Sequence, residues 1–233
     1  MMEQMAVILP AAGRSVRFGG PRNKLHEPLA GVTVIHRSVS AFLAREDVAQ
    51  VIIATQPATE MEPSPPPPIE GFDRRIEFTA GGESRADSVW LALRAVSADV
   101  QWVAVHDAAR PLVSRELIDR IFAAACKYGA AAPALPVALT VKQADGPLPA
   151  RVGRTLPRHT LWSMQTPQIM RRADLLAAYD KCPLPLEQVT DDAQVLELAG
   201  LDVWLLAGEE RNLKITTQAD LRLAEWFLSQ GAG

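Results

Sequence analysis

Apolar runs that alternate with segments of helical spacing predict an α/β protein, a single Rossmann-like, mostly parallel sheet with helices on both faces, occupying 1–233 as one domain. Five runs read as buried strands, at 6–9, 51–54, 102–105, 131–137 and 203–207. Strands covered on both faces are continuous in apolar residues rather than alternating. Between them, Val34, Ser38, Ala41 and Phe42, then Val89, Ala92, Leu93 and Val96, then Leu117, Ile121, Phe122 and Ala125 recur at three- and four-residue spacing. Such helices are the crossovers that parallel neighbours require. In such sheets ligands bind at the carboxyl ends of the strands.

The first run, Ala6-Val7-Ile8-Leu9, opens into Pro10-Ala11-Ala12-Gly13-Arg14-Ser15-Val16-Arg17-Phe18-Gly19-Gly20-Pro21-Arg22-Asn23-Lys24. Small residues followed by spaced cations let backbone N–H groups approach phosphates while Arg17 and Lys24 neutralise them. A tight strand-to-helix turn with solvated cations would use the same glycines. Neither G-x-x-x-x-G-K-[ST] nor G-x-G-x-x-G occurs, which disfavours a kinase-like P-loop and a dehydrogenase fingerprint.

After the run at 51–54, Pro63-Ser64-Pro65-Pro66-Pro67-Pro68 is too stiff and too poor in donors for a sheet and reads as an exposed connector. Gly81-Gly82-Glu83-Ser84-Arg85-Ala86-Asp87-Ser88 then opens a helix with Ser84 as its N-cap, the glycines freeing the backbone for an anionic or planar group. His106-Asp107-Ala108-Ala109-Arg110-Pro111 follows the strand Trp102-Val103-Ala104-Val105. Asp107 at that strand end either satisfies loop N–H groups or holds a divalent cation such as Mg²⁺ or Mn²⁺, which needs only one or two protein oxygens.

From about Leu139 to Thr160 the chain has Pro147, Pro149 and Pro157 with Arg151, Arg154 and Arg158 and no amphipathic period, and reads as an arm leaving the sheet. It returns through Leu161-Trp162-Ser163-Met164-Gln165-Thr166-Pro167-Gln168. Thr190-Asp191-Asp192 reads first as a helix N-cap with an acidic first turn. Lys214, in Asn212-Leu213-Lys214-Ile215-Thr216, lies just before a closing helix near 217–229 with Ala219, Leu223, Trp226 and Phe227 on one face.

Composition narrows the function. Over 233 residues the chain is 48% hydrophobic and 22% charged with a formal net charge of −3, an ordinary globular balance with no basic excess to attract nucleic acid. Cys126 and Cys182 lack metal-ligand spacing and read as reduced thiols. With no leader-like N-terminus and no apolar stretch of membrane-spanning length, a cytoplasmic protein without a membrane partner is expected. The four histidines lack H-E-x-x-H spacing and no G-x-S-x-G occurs, so zinc and serine hydrolases are unsupported.

Together these segments resemble the 2-C-methyl-D-erythritol 4-phosphate cytidylyltransferase family. The match runs nearly end to end: Pro10 to Gly13 with Arg17 and Lys24, Gly81-Gly82 with Arg85 to Ser88, His106 to Pro111, Thr140-Val141-Lys142, Trp162 to Gln168, Thr190-Asp191 and Asn212 to Thr216. The resemblance implies transfer of CMP from CTP to a methylerythritol phosphate, with release of pyrophosphate, in non-mevalonate isoprenoid synthesis. It implies that Ala11, Ala12, Gly13, Gly82, Glu83 and Ser88 surround the cytidine. Arg17 and Lys24 grip the triphosphate and, with Lys214, form the catalytic cations, while Asp107 helps hold Mg²⁺. Asp107, Arg110, Thr140, Arg158, Thr166, Thr190 and Lys214 line the second substrate. Thr140, Arg158 and Thr166 are implied to reach across from a partner subunit's arm, giving a homodimer with composite sites. A cytidylyltransferase for ribitol 5-phosphate or a related polyol phosphate is the alternative. A non-catalytic nucleotide-binding protein on the same fold would be expected to lack Lys24, Asp107 or Lys214. Four positions depart from the family pattern. Ser15 replaces the second loop glycine, Asn23 the Pro before the lysine, Glu83 the base-contacting aspartate, and Leu139 the Asp before Thr140.

Overall fold

A computed structural model describes residues 3–13, 15, 17–19, 23–56 and 73–231; the polyproline stretch at 63–68 lies outside the described residues. In chain order the elements begin with β1 (Met5–Pro10), the two-residue strands β2 (Pro28–Leu29) and β3 (Val32–Thr33), α1 (Val34–Leu43), β4 (Val48–Thr55) and β5 (Ile76–Ala80). Then come α2 (Arg85–Leu93), β6 (Trp102–Val105), α3 (Arg115–Tyr128), β7 (Ala130–Pro136), β8 (Lys142–Ala144) and β9 (Val152–Thr155). The chain closes with β10 (Trp162–Met164), β11 (Gln168–Arg171), α4 (Arg172–Asp180), α5 (Asp192–Leu198), β12 (Trp204–Ala207) and α6 (Gln218–Ser229).

β1 sits in the middle of the sheet, parallel to β4 on one side and β6 on the other, with β5 parallel to the far edge of β4. Successive residues of these strands enter opposite cores, as the two-residue period of a strand requires. Met5, Val7 and Leu9 pack with Val51 and Ile53 against α1, α3 and α6. Ala6 and Ile8 pack with Ile52 and Ala54 against α2, α4 and α5. Both faces are therefore apolar, which is why β1, β4 and β6 are legible as unbroken apolar runs.

Beyond β6 the sheet changes direction. β11 pairs antiparallel with β6 and with the start of β7, and β10 continues antiparallel along β7. The register slips by two residues between Met164↔Ala134 and Ile169↔Ala131, leaving Gln165, Thr166 and Pro167 as a break in the ladder. β12 pairs parallel with the opposite edge of β7. The sheet is mostly parallel, as expected, with one antiparallel return. Four strands expected from the apolar runs hold within two or three residues and 102–105 is observed as read. Val96 falls beyond the end of α2, in a turn.

The arm is a hairpin of its own: β8 and β9 pair antiparallel and belong to no other strand. Its charged side chains knit the hairpin, with Lys142 Nζ 2.7 Å from Thr155 Oγ1, Arg154 Nε 2.7 Å from Gln143 Oε1 and Arg151 Nε 2.9 Å from Asp145 Oδ2. Leu139 and Leu148 stand uncovered at 80% and 87% exposure, so these two apolar side chains of the arm are left out of the core.

Candidate active site

The carboxyl ends of β1 and β6 open into a cleft of about 420 Å³, at the position expected for such a sheet. One wall is the loop after β1, with Ala11, Ala12, Gly13 and Arg17, continuing to Lys24. A second is the N-terminus of α2 with Gly82, Glu83 and Ser88; Asp107 and Lys214 complete it. All ten of these were singled out in the sequence. The loop is tied to the sheet edge, Ala11 N–H donating to Ala54 O at 2.8 Å and Gln56 Nε2 to Ala12 O at 2.8 Å.

α2 is started by a capping box. Ser84 Oγ accepts from Asp87 N–H at 3.0 Å, and Asp87 Oδ2 accepts from Ser84 N–H at 3.0 Å. A β-carbon on Gly81 would overlap the Ala12 side chain, so this glycine serves the packing of α2's entry against the loop after β1. Ser88 lines the cleft, but its hydroxyl accepts from Gly82 N–H at 3.1 Å and donates to Ser84 O at 2.9 Å, shaping the turn behind the cleft wall.

Asp107, 7% exposed, is gripped by three cations. Arg85 Nε lies 3.2 Å from Oδ1, while Arg110 Nε and Lys214 Nζ lie 3.2 Å and 3.0 Å from Oδ2. Burial alone would raise its pKa, but Arg85, Lys214 and Arg110 overcome it and hold the carboxyl well below the usual carboxylate range. Lys24 is instead disfavoured as a cation: burial, then repulsion from Lys214, lowers its pKa below 10.5. At the centre of the cleft, cations gather around the compensated carboxylate of Asp107.

The break between β10 and β11 fixes this arrangement from behind. His106 is fully buried with its pKa pushed down to about 4 by burial, so the ring is neutral. Its Nε2 lies 3.1 Å from Arg110 O, an oxygen that only accepts, so the ring proton is on Nε2. Nδ1 therefore accepts from the Thr166 hydroxyl at 3.1 Å, and Thr166 Oγ1 accepts from Asp107 N–H at 3.0 Å. Gln165 Nε2 donates to Glu209 O at 2.8 Å and Asn212 O at 3.2 Å, and its Oε1 accepts from Glu209 N–H at 3.1 Å. Asn212 Nδ2 returns a bond to Thr166 O at 2.8 Å, and Ile215 N–H reaches Ala109 O at 2.8 Å. Lys214 is thus flanked by two anchored residues.

Gln168 ties down the third side. Its Nε2 donates to Asp191 Oδ2 at 2.8 Å and its Oε1 accepts from Ala193 N–H at 2.9 Å, holding the start of α5. There Asp191 is the N-cap, as expected, but Asp192 is fully buried and faces inward. Asp192 Oδ2 lies 2.9 Å from Arg85 NH1, and its Oδ1 accepts from Tyr179 Oη at 2.8 Å. Burial opposes the Arg85 charge, yet Asp192 and Asp107 outweigh it and raise its pKa. Arg85 therefore bridges two carboxylates, one in the cleft and one in the core. Arg85 was noted in sequence without a role; Asp192, Gln165 and Asn212 were given none, because an acidic first turn or a loop amide carries no sign of its distant partner.

Five expected acceptor-side residues do not line the cleft. Arg110 and Thr166 stand behind Asp107 with their polar atoms committed to their own chain, Arg110 NH1 donating to Asn212 O at 2.8 Å. Thr166 sits at the β10–β11 break beside its own Asp107, not on the arm, which corrects the expectation that it reaches across from a partner. Thr190, at the start of α5, shares its hydroxyl with Gln194 Oε1 at 3.0 Å. Thr140 and Arg158 are exposed on the arm, Arg158 bonded to Ala138 O.

No group of three or more metal-ligating side chains occurs among the described residues. A metal caged by protein alone does not fit. A hard divalent cation that brings phosphate oxygens and takes one oxygen of Asp107 does fit, because the oxygen donor is right and the surplus positive charge around it requires an anion to enter as well.

A sheet with this switch of direction, a small-residue loop and cations at its carboxyl edge define the chain as a nucleotidyltransferase. Residues 5–230 match the model of the 2-C-methyl-D-erythritol 4-phosphate cytidylyltransferase family, and the chain belongs to it. It is 41% identical over 228 residues to the 2-C-methyl-D-erythritol 4-phosphate cytidylyltransferase of Frankia casuarinae, covering 97% of this chain and 82% of the relative. It is 38% identical over 229 residues to a bifunctional enzyme IspD/IspF of Desulfotalea psychrophila, covering 98% of this chain but 58% of that relative's length. The crystal structure of the Thermus thermophilus enzyme, 35% identical, superposes with a TM-score of 0.76 over 96% of this chain and 98% of that one.

Proposed function

We propose that the protein transfers CMP from CTP to 2-C-methyl-D-erythritol 4-phosphate, releasing pyrophosphate. The observation that carries this reading is the cleft itself: Arg17, Lys24 and Lys214 face one space around a buried, fully compensated Asp107, beside the N-terminus of α2. An acceptor phosphate oxygen attacks the α-phosphorus of CTP, the bond from that phosphorus to the bridging oxygen of the β-phosphate breaks, and the electron pair leaves with pyrophosphate. No covalent enzyme intermediate is needed, so the chain's work is alignment and charge stabilisation. Arg17 and Lys24 hold the β- and γ-phosphates, and Lys214 meets charge that develops at the α-phosphate.

A Mg²⁺ or Mn²⁺ ion carried by the triphosphate would be held by Asp107 and would supply neutralisation of phosphate charge. The uncovered Leu139 and Leu148 and the self-contained arm support a homodimer in which Thr140 and Arg158 serve the partner's acceptor site. No helix among the described residues is long and apolar enough to cross a membrane.

Pyrophosphate release with CTP and a panel of polyol phosphates tests the reading. Turnover with methylerythritol phosphate well above that with ribitol 5-phosphate is expected. Equal turnover with ATP or GTP would refute a cytidylyl site, since a pocket built on specific polar pairing rejects purines strongly.

A further inference from the structure

We propose that Ser15 and Asn23 form a latch that ties Gly13 to the turn Lys24–His26 before nucleotide arrives, and so act as positioning residues for Lys24. The inference rests on the nucleotide reading of the cleft and deepens it. Ser15 has a φ of 52°, in the left-handed region where a β-carbon is crowded, so a local interaction must hold it there. Its hydroxyl donates to Asn23 Oδ1 at 2.8 Å, eight residues along the chain, and its oxygen accepts from Lys24 N–H at 3.4 Å. Asn23 Oδ1 also accepts from Leu25 N–H at 3.1 Å, capping the turn Lys24–His26, and its Nδ2 donates to Gly13 O at 3.3 Å. One pair of side chains thus joins the start of the loop to its end.

Lys24 directly follows Asn23, at one end of that latch. Its neighbour Asn23 is tied to Gly13 and Ser15, and Leu25 is buried in the core. The ammonium is presented to a cleft where burial and the charges of Lys214 and Arg17 oppose it. A loop free at both ends would turn that side chain toward water. Ordering the loop would then fall to the binding step and weaken affinity by the fraction of molecules already closed.

The test compares wild type, Ser15→Ala, Asn23→Ala and the double variant. Amide hydrogen exchange at Lys24 and Leu25 is followed without nucleotide, CTP affinity by calorimetry, and kcat and KM by pyrophosphate release. Each single variant should speed exchange at these two amides by about tenfold and weaken CTP by roughly 3- to 10-fold. KM should rise while kcat stays within about twofold, and the losses in the double variant should be clearly less than additive, because both substitutions remove the shared Ser15–Asn23 bond. Additive losses, or single variants that exchange and bind like wild type, would overturn the latch. Ser15→Gly, which removes the hydroxyl and the crowding together, replaces Ser15→Ala should that variant fail to fold. Wild-type protein that binds no CTP would refute the nucleotide reading, while the exchange measurement, made without nucleotide, still decides whether the latch exists.

Discussion

The Gln165 carboxamide fills the space that a β-carbon on Gly208 would need, so any side chain there would have to push that carboxamide out of its place. The same carboxamide binds the backbone of Glu209 and Asn212, two residues before Lys214. Gly208→Ala should therefore displace Gln165 and loosen Lys214. Leaving buried polar groups unpaired costs about 1–3 kcal/mol each, which lowers Tm by roughly 2–4 °C per kcal/mol in a chain of this size. kcat/KM should fall about tenfold in both Gly208→Ala and Gln165→Ala. A folded Gln165→Ala enzyme with normal kinetics would show that Gln165 is not needed to hold Lys214.

Lys24 makes activity and stability diverge at alkaline pH. Its pKa lies below the ordinary 10.5, chiefly through burial. A cation depressed in the folded state costs stability while protonated, and that cost is relieved as pH rises through the depressed pKa toward 10.5. Over the same window the site loses a charge it needs for phosphate. Plots of kcat/KM, which report the free enzyme, should bend downward at lower pH than plots of kcat, where bound triphosphate favours the ammonium. Lys24→Ala should reduce kcat/KM by about 10²–10⁴ in a folded protein. Near-normal turnover in that variant would remove Lys24 from the catalytic set.

The two halves of this site were unequally legible in the sequence. The nucleotide side consists of contiguous loops at strand ends, so Gly13, Arg17, Lys24, Gly82 and Asp107 could be found from local pattern alone. The sheet centre was legible for the same reason, since β1, β4 and β6 are apolar on both faces. β5 was not, because at the sheet edge its Ile76-Glu77-Phe78-Thr79-Ala80 is mostly solvated. β10 and β11 are too short, and broken at Gln165 to Pro167, to show a period. Asp192 illustrates the remaining limit. At the start of α5 its carboxylate suits the helix dipole, and nothing local reveals that Arg85, 107 residues earlier, turns it inward.

That buried pair is open to test. Asp192→Asn keeps the shape and leaves Arg85 to face Asp107 alone. Breaking a buried ion pair from one side costs about 3–5 kcal/mol, so a clear drop in Tm is expected. kcat/KM should fall at least tenfold, with Tyr179→Phe milder in the same direction. An Asp192→Asn enzyme that melts and turns over like wild type would show that Asp192 does not support Arg85.

Divalent metal should be required, and required together with nucleotide. Asp107 is already neutralised by Arg85, Arg110 and Lys214, so a cation has little reason to bind before the triphosphate adds negative charge. Mn²⁺ titrated into the free protein should bind weakly, and far more tightly once CTP is present. Excess EDTA should abolish turnover, and Asp107→Asn should raise the metal concentration needed for half-maximal rate. Full activity in EDTA would exclude the metal.

The arm makes the sharpest prediction about assembly. Arg158 is exposed at its base while Lys24 lines the cleft, so if the arm crosses a two-fold axis each site takes Lys24 from one chain and Arg158 from the other. Lys24→Ala and Arg158→Ala homodimers should then both be nearly inactive. In a mixed dimer one site collects both lesions and the other is intact. Random exchange of equal amounts makes half the dimers mixed, each with one working site, so activity should recover to about a quarter of wild type. Subunit exchange is followed independently by mass, with one parent isotopically labelled. Should exchange occur and the mixture stay as inactive as its parents, Arg158 serves its own chain and the shared site is wrong.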